Sequence, residues 1–223
     1  MIHKTRGIVF RFTRFRETSI IVTIFTELFG LQSYIVNGVR SSKAGGNKMA
    51  LYQPLTLLDL VVYHRESANI HRIKEIKCCY HYGTLTKDVK KTTLAIFINE
   101  IVTKTVKEES HAQELFEFLF HSFVLLDQQE EGVENFHLIF LTKLSRLLGF
   151  GAHKVEEISG SRILNPQEEA ALETLLKSEY GDPIILTQSQ RRAILNHLLL
   201  FYAEHVETLG EIKSTSVLRE LLS

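Results

Sequence analysis

The sequence predicts an α+β fold, with a β-rich first third followed by an all-α remainder. Three observations carry this. Short β-branched and aromatic runs recur up to about residue 82, the apolar period then changes to helical spacing, and capping signals punctuate the rest. The break gives two domains, 1–82 and 83–223, with residues 151–165 reading as a linker. Five strands in about eighty residues, with a longer break between the third and fourth, fit a five-stranded Greek-key barrel of the OB type. Closure of the barrel removes the edges that such apolar strands expose.

Taken in order, His3–Phe12 alternates and is rich in Ile, Val, Phe and Thr, so it predicts the first strand. Glu17–Thr26 and Leu31–Asn37 are the second and third, joined by a short turn closed by Gly30. Gly38–Lys48 lacks periodicity, holds Gly45-Gly46 and reads as a loop. Lys48–Gln53 predicts a single helical turn stopped by Pro54. Leu55–Tyr63 and His71–Tyr80 supply the last two strands.

From Leu85 to Lys107 the apolar residues recur at helical spacing. Ser110 and Gln113 form a capping box that opens a helix to Gln128. Its apolar segment Leu115–Leu126 predicts a buried central helix. Glu134–Leu148 is a helix stopped by Gly149 and Gly151. Asn165-Pro166 with Glu168, and Thr187 with Gln190, start two more, the second reaching about Thr208. Ser214–Leu222 is a short last helix.

The net charge of zero conceals an asymmetry. Residues 1–82 carry twelve basic and five acidic side chains, a net of +7, and the remainder carries −7. A basic barrel suggests an anionic partner, most often nucleic acid, although a solvated basic surface gives the same count. Arg14, Arg16, Arg40, Lys43 and Lys48 flank the second and third strands as candidate phosphate contacts, with Arg6 and Arg11 nearby. Aromatic residues are interleaved with them, and bases of single strands stack on aromatics along a positive groove. Most of these rings are needed for the core, which leaves Phe15 and Tyr52 as candidate platforms.

Catalytic signatures are lacking. There is no phosphate-binding glycine loop, no HExxH, no GxSxG and no CxxC. His64, His71 and His81 match no ligand spacing, so no metal is expected. A magnesium nuclease would want clustered carboxylates, which the basic barrel lacks. No apolar run is long enough to span a membrane, and charges interrupt the first residues, so neither a membrane segment nor export is expected. Cys78 and Cys79, the only cysteines, are neighbours on a strand and point to opposite faces, which predicts reduced thiols. Lys143 and Arg146, three apart on one helix, are candidates for an acidic peptide ending in a carboxylate, against the plainer reading of a solvated helix face.

These residues resemble a known family. Glu17–Ser19, Phe25-Thr26 and Gly30-Leu31, then the basic loop Gly38–Lys43 and the run Tyr52–Leu60, are similar to the bacterial DNA repair protein RecO family. Phe97–Ile101, Leu147–Phe150, Ile212–Ser214 and Val217-Leu218 continue the resemblance in order. It is nearest to the branch from Bacteroidetes-type bacteria. The resemblance implies an N-terminal OB domain and a C-terminal helical domain. It implies a cytoplasmic, nucleoid-associated recombination mediator that is not an enzyme and needs no cofactor. Such a protein binds single- and double-stranded DNA, anneals complementary strands, binds the C-terminal tail of single-stranded-DNA-binding protein and, with RecR, helps load RecA. Many members carry four zinc cysteines after the Leu-Gly-Tyr/Phe position. Residues 151–180 contain none, so no structural zinc is expected here. The alternative is an adaptor whose barrel binds a protein partner rather than DNA.

Overall fold

The computed structural model describes residues 1–40, 45–107 and 112–221. Five strands, β1 (Ile2–Phe15), β2 (Ser19–Thr26), β3 (Gly30–Val36), β4 (Leu57–Tyr63) and β5 (His71–Tyr80), close into a barrel of order β1-β2-β3-β5-β4. A short helix, α1 (Gly45–Ala50), lies between β3 and β4. All pairings are antiparallel except β3 with β5. This is the expected five-stranded barrel followed by helices. It holds together because alternate residues of every strand face one core, where Val9, Val22, Ile24, Tyr34, Leu58 and Leu60 pack.

β1 is longer than the alternation predicts because it serves two partners. Its first half pairs with β4 and its second with β2. Gly7 sits where both ladders meet. A Cβ there would lie 2.7 Å from Ile24 and from Leu60, so the inward bend requires glycine. A register shift between Val9 and Arg11 follows, as a bulge that lets the strand keep curving. β4 begins at Leu57, not Leu55. Leu55 takes a left-handed backbone (φ +72°) and donates its N–H to the Val9 carbonyl, so it belongs to the turn. The expected helical turn at Lys48–Gln53 begins earlier, at Gly45, and Met49, Leu51 and Tyr52 pack against the barrel core.

Two compact units emerge. One combines Met1–Tyr82 with Val106–Phe123 and the other combines Gly83–Thr105 with Val124–Ser223. A single cut in sequence cannot express this, because the helix α3 (Ala112–Gln128) begins in the first unit and ends in the second. In the barrel unit, Phe116 of α3 lies against Phe25, which stacks on Phe10 with ring centres 5.6 Å apart. Ser110, the expected cap of α3, lies outside the described residues.

The helical unit is built on α2 (Val89–Thr105) and α4 (Phe136–Leu147), then α5 (Val155–Ser159), α6 (Pro166–Lys177), α7 (Gln188–His205) and α8 (Thr215–Leu221). α2 starts later than its apolar pattern because Asp88 caps it, accepting from the Lys91 N–H at 3.0 Å. Gly149 adopts the left-handed conformation (φ +86°) that ends α4. The capping boxes at Asn165 and Thr187 form as expected. The stretch expected to be a linker, 151–165, contains α5, whose Val155 and Ile158 are buried. Asp127 accepts N–H bonds from Gly83, Thr84 and Leu85, and buried Lys91 donates to its carbonyl at 2.7 Å. Glu100 receives the N–H groups of Lys213 and Ser214, which fixes the start of α8. Burial pushes the Glu100 carboxyl up, but these bonds outweigh it and hold it below the usual range. Among the described residues no group of ligating side chains is arranged to hold a metal, and no helix is long and apolar enough to cross a membrane.

Candidate nucleic-acid interface

Residues directly opposite in a ladder share a face of the sheet. This rule locates the basic side chains. Tyr63 of β4 faces Arg72 of β5, Arg72 faces Ile35 of β3, Ile35 faces Ile21 of β2, and Ile21 faces Thr13 of β1. The neighbouring inward positions, Phe12, Val22, Tyr34 and His71, line up on the core side. The Tyr63–Arg72–Ile35–Ile21–Thr13 row therefore points outward. From Arg72 to Thr13 it crosses three strand spacings, about 14 Å.

Two parallel rows flank it. Arg11, Thr23 and Ser33 form one. Phe15 and Ser19 form the other, extended by Asn37, which accepts the Ser19 hydroxyl at 2.9 Å. Ile21 and Ile35 are half-buried, between Arg11, Arg72 and the hairpin loop. That loop, Arg16 to Thr18, carries a second cation. The Arg16 guanidinium lies 5.2 Å from the centre of the Phe15 ring. Arg16 itself has φ +51°, a left-handed conformation costing a non-glycine residue about 1–2 kcal/mol. The structure around it holds that strain. Arg40 donates its backbone N–H to Thr18 and its guanidinium to the Arg16 carbonyl, so the two arginines share one end of the barrel.

The candidate phosphate contacts thus divide. Arg11, Arg16 and Arg40 lie together on or beside the outward face. Arg14 is exposed at the same end, but it faces Ile20 and Val36 and so extends the inward row at the barrel mouth. Lys48 is exposed on α1. Lys43 lies outside the described residues.

Arg6 departs from the expectation. Its guanidinium is gripped by Glu27 at 2.9 and 3.0 Å, bonds Glu117 as well, and lies 5.1 Å from the centre of the Phe116 ring. It clamps α3 to the barrel and has no free face for a phosphate. Hydrogen bonding to Arg6 in turn holds the Glu27 carboxyl below the usual range. Tyr52 also departs, since it is buried in the core and offers no stacking platform. Among the described residues, Arg11, Arg14, Arg65 and Arg72 have no carboxylate partner. The nearest acids in sequence are Glu17 and Glu66, on the loops, and Glu75 on β5, which pairs with Lys74.

Arg65 and Arg72 are the residues the sequence reading missed. No sequence signal marks them, because Arg72 is placed by the parallel pairing of β5 with β3 and Arg65 by the loop that follows β4. The histidines behave differently from a metal site. His64 stacks between Phe29 (4.0 Å) and His71 (4.5 Å), while His81 is exposed and apart. Face-to-face stacked rings do not converge their nitrogens on one ion.

In the helical unit, Lys143 bonds Glu179 at 2.5 Å, and Arg146 donates to the Leu176 carbonyl at 2.6 Å. Both expected peptide contacts are engaged within the unit. A second cationic cluster lies elsewhere in it. Arg191, Arg192 and Arg219 line a small cleft with Leu195, Leu218 and buried His137. The buried His137 Nδ1 and Arg191 Nε have no hydrogen-bond partner among the described residues.

Comparison with known proteins now adds to the geometry. The family model for the recombination protein O N-terminal domain matches residues 1–82, and that for its C-terminal domain matches residues 86–159. The chain belongs to the RecO family. It is 31% identical to DNA repair protein RecO of Phocaeicola vulgatus over 242 aligned positions, covering both chains completely. It is 30% identical to the RecO of Flavobacterium johnsoniae and 31% identical to that of Bacteroides fragilis, each over 99% of both chains. The RecO N-terminal domain is thus the closed barrel, and its outward face is the candidate interface.

Proposed function

We propose that this chain is a non-catalytic mediator of recombinational DNA repair, cytoplasmic and associated with the nucleoid. It binds single- and double-stranded DNA through the barrel, anneals complementary strands and, with RecR, helps load RecA. The observation that carries this reading is the outward face with Arg11, Arg16, Arg40 and Arg72 around half-buried Ile21 and Ile35. Guanidiniums with no carboxylate partner suit phosphates, and a shallow apolar floor tolerates bases of any sequence. Arg14, Lys43 and Lys48 extend the positive field toward the barrel mouth and loop.

In this reading the acidic C-terminal tail of single-stranded-DNA-binding protein docks on the helical unit. Lys143 and Arg146 serve it only if they release Glu179 and Leu176. The guanidiniums of Arg191, Arg192 and Arg219 also donate within the fold, to Asn135, the Leu186 and Arg219 carbonyls and Asn196, but none of these acceptors is a carboxylate. A peptide copying the tail, titrated against Lys143→Ala and Arg191→Ala variants, separates the two places. The barrel reading is tested by fluorescence anisotropy with labelled single-stranded DNA. The Arg11→Ala, Arg16→Ala, Arg40→Ala triple variant should weaken binding to all sequences alike. A loss confined to one sequence, or wild-type affinity in the triple variant, argues instead for a barrel that binds a protein partner.

A further inference from the structure

At its β4–β5 end the outward row opens into a cleft of about 620 Å³, lined by Ile2, Tyr63, Arg65, Ile70, His71 and Arg72. That volume lies within the range of small-ligand sites, about 300–1,000 Å³. Its walls are unusual for a surface. Ile2, Tyr63 and Ile70 are 54%, 44% and 47% exposed, and they meet at one place. Isolated exposed apolar side chains need no explanation, but a group of them around a concavity marks a binding surface. Buried His71 lines the cleft, and its ring stacks on His64, which stacks in turn on Phe29. Burial first, and then repulsion from neighbouring positive groups, keeps the His64 and His71 imidazoles below their usual pKa, so this floor is uncharged at neutral pH. Arg65 and Arg72 supply the charge of the rim.

An aromatic and aliphatic cleft with a cationic rim is complementary to a flat ring carrying an anion. Arg72 belongs both to the cleft and to the row that runs through Ile35 and Ile21, so a strand lying on that row reaches the cleft without interruption. We infer that the cleft receives one unstacked base of single-stranded DNA, its face against Tyr63 and its flanking phosphates on Arg65 and Arg72. This rests on the DNA-binding reading of the barrel. It goes beyond that reading by giving the protein a means of preferring single strands. Bases in a duplex are already stacked on both faces and enter such a cleft only by being extruded, at a cost of a few kcal/mol.

The test compares a fluorescent oligothymidylate with a blunt duplex of equal length, using the full chain. Tyr63→Ala should weaken single-strand binding about tenfold and leave duplex binding unchanged. Tyr63→Phe keeps the ring and should bind as wild type. Thermal melting of both variants checks the fold, and the outward, half-exposed position of Tyr63 makes both substitutions tolerable. Equal losses on single strands and duplex overturn the inference. So does an acidic peptide whose binding, unlike that of DNA, depends on Tyr63. If Tyr63→Ala binds like wild type while the Arg11, Arg16 and Arg40 triple variant is weak, the cleft is not a base site and the barrel reading stands. If wild type binds no DNA, both fall.

Discussion

The outward face of β1 and β2 has two ends built from the same strands, and they are finished differently. At one end Ile8, Phe10 and Phe25 are almost fully buried, with Phe116 of α3 packed against Phe25, and the local cation Arg6 is held by Glu27 and Glu117. At the other end Ile21 and Ile35 remain half-buried, and Arg11 and Arg72 have no carboxylate partner among the described residues. Charge count does not distinguish these ends, since both carry arginine on β1. Pairing does. A guanidinium with two carboxylates is a structural clamp, and one without them is available to an outside anion.

Substitution should separate the two ends cleanly. The largest expected effect is at the open end. Replacing Arg11, Arg16 and Arg72 together with Ala should raise Kd for single-stranded DNA about a hundredfold at physiological salt, about 1 kcal/mol per lost contact, with little change in melting temperature. Anisotropy and calorimetry read the two quantities. At the covered end the effects should exchange. Arg6→Met leaves Glu27 and Glu117 facing each other without their cation. It should destabilise the barrel unit by about 1–3 kcal/mol in denaturant unfolding while DNA affinity holds. A matching loss of affinity would erase the distinction.

Acidification should act on the open end. His64 and His71 have lowered pKa values in the fold, so the unfolded chain binds protons first, near pH 6.5. Stability contributed there is complete above about pH 6.5 and is lost as pH falls toward the lower folded values. The slope per histidine should be below the limit of about 1.4 kcal/mol per pH unit for one fully withheld proton. His64→Phe should flatten the dependence of melting temperature on pH between 7 and about 5, whereas Arg6→Met should not. The smallest effect is expected at Lys77, an exposed side chain 3.3 Å from Asp59. Lys77→Ala should change stability by less than about 1 kcal/mol and DNA affinity by less than about twofold.

Much of this architecture was legible in the amino-acid order. Alternation and β-branched, aromatic runs located all five strands, and Asn165 and Thr187 announced their helices, because these signals are local. What escaped depended on partners distant in the chain. Arg6 reads as one more basic residue until Glu117, 111 positions away, is brought to it. Arg72 reads as an ordinary strand residue until β5 pairs in parallel with β3 and sets it beside Ile35. Leu55 reads as strand because it is apolar, yet its left-handed backbone sets it in the turn before β4, with its N–H on the Val9 carbonyl and its own carbonyl accepting the Tyr82 hydroxyl. α5 was hidden because five residues are too few to establish a period. The hairpin arginines were visible as a group, but only the register separates Arg11, which faces outward, from Arg14, which extends the inward row.

The central claim is that the free guanidiniums of the open end meet phosphates, and counterion release tests it most directly. The logarithm of the single-strand binding constant should fall linearly with the logarithm of salt concentration, by about 0.7 for each phosphate neutralised. The Arg11, Arg16 and Arg72 triple variant should therefore show a slope shallower than wild type by about 2, whereas Arg6→Met should keep the wild-type slope. Identical slopes for wild type and the triple variant would contradict the account.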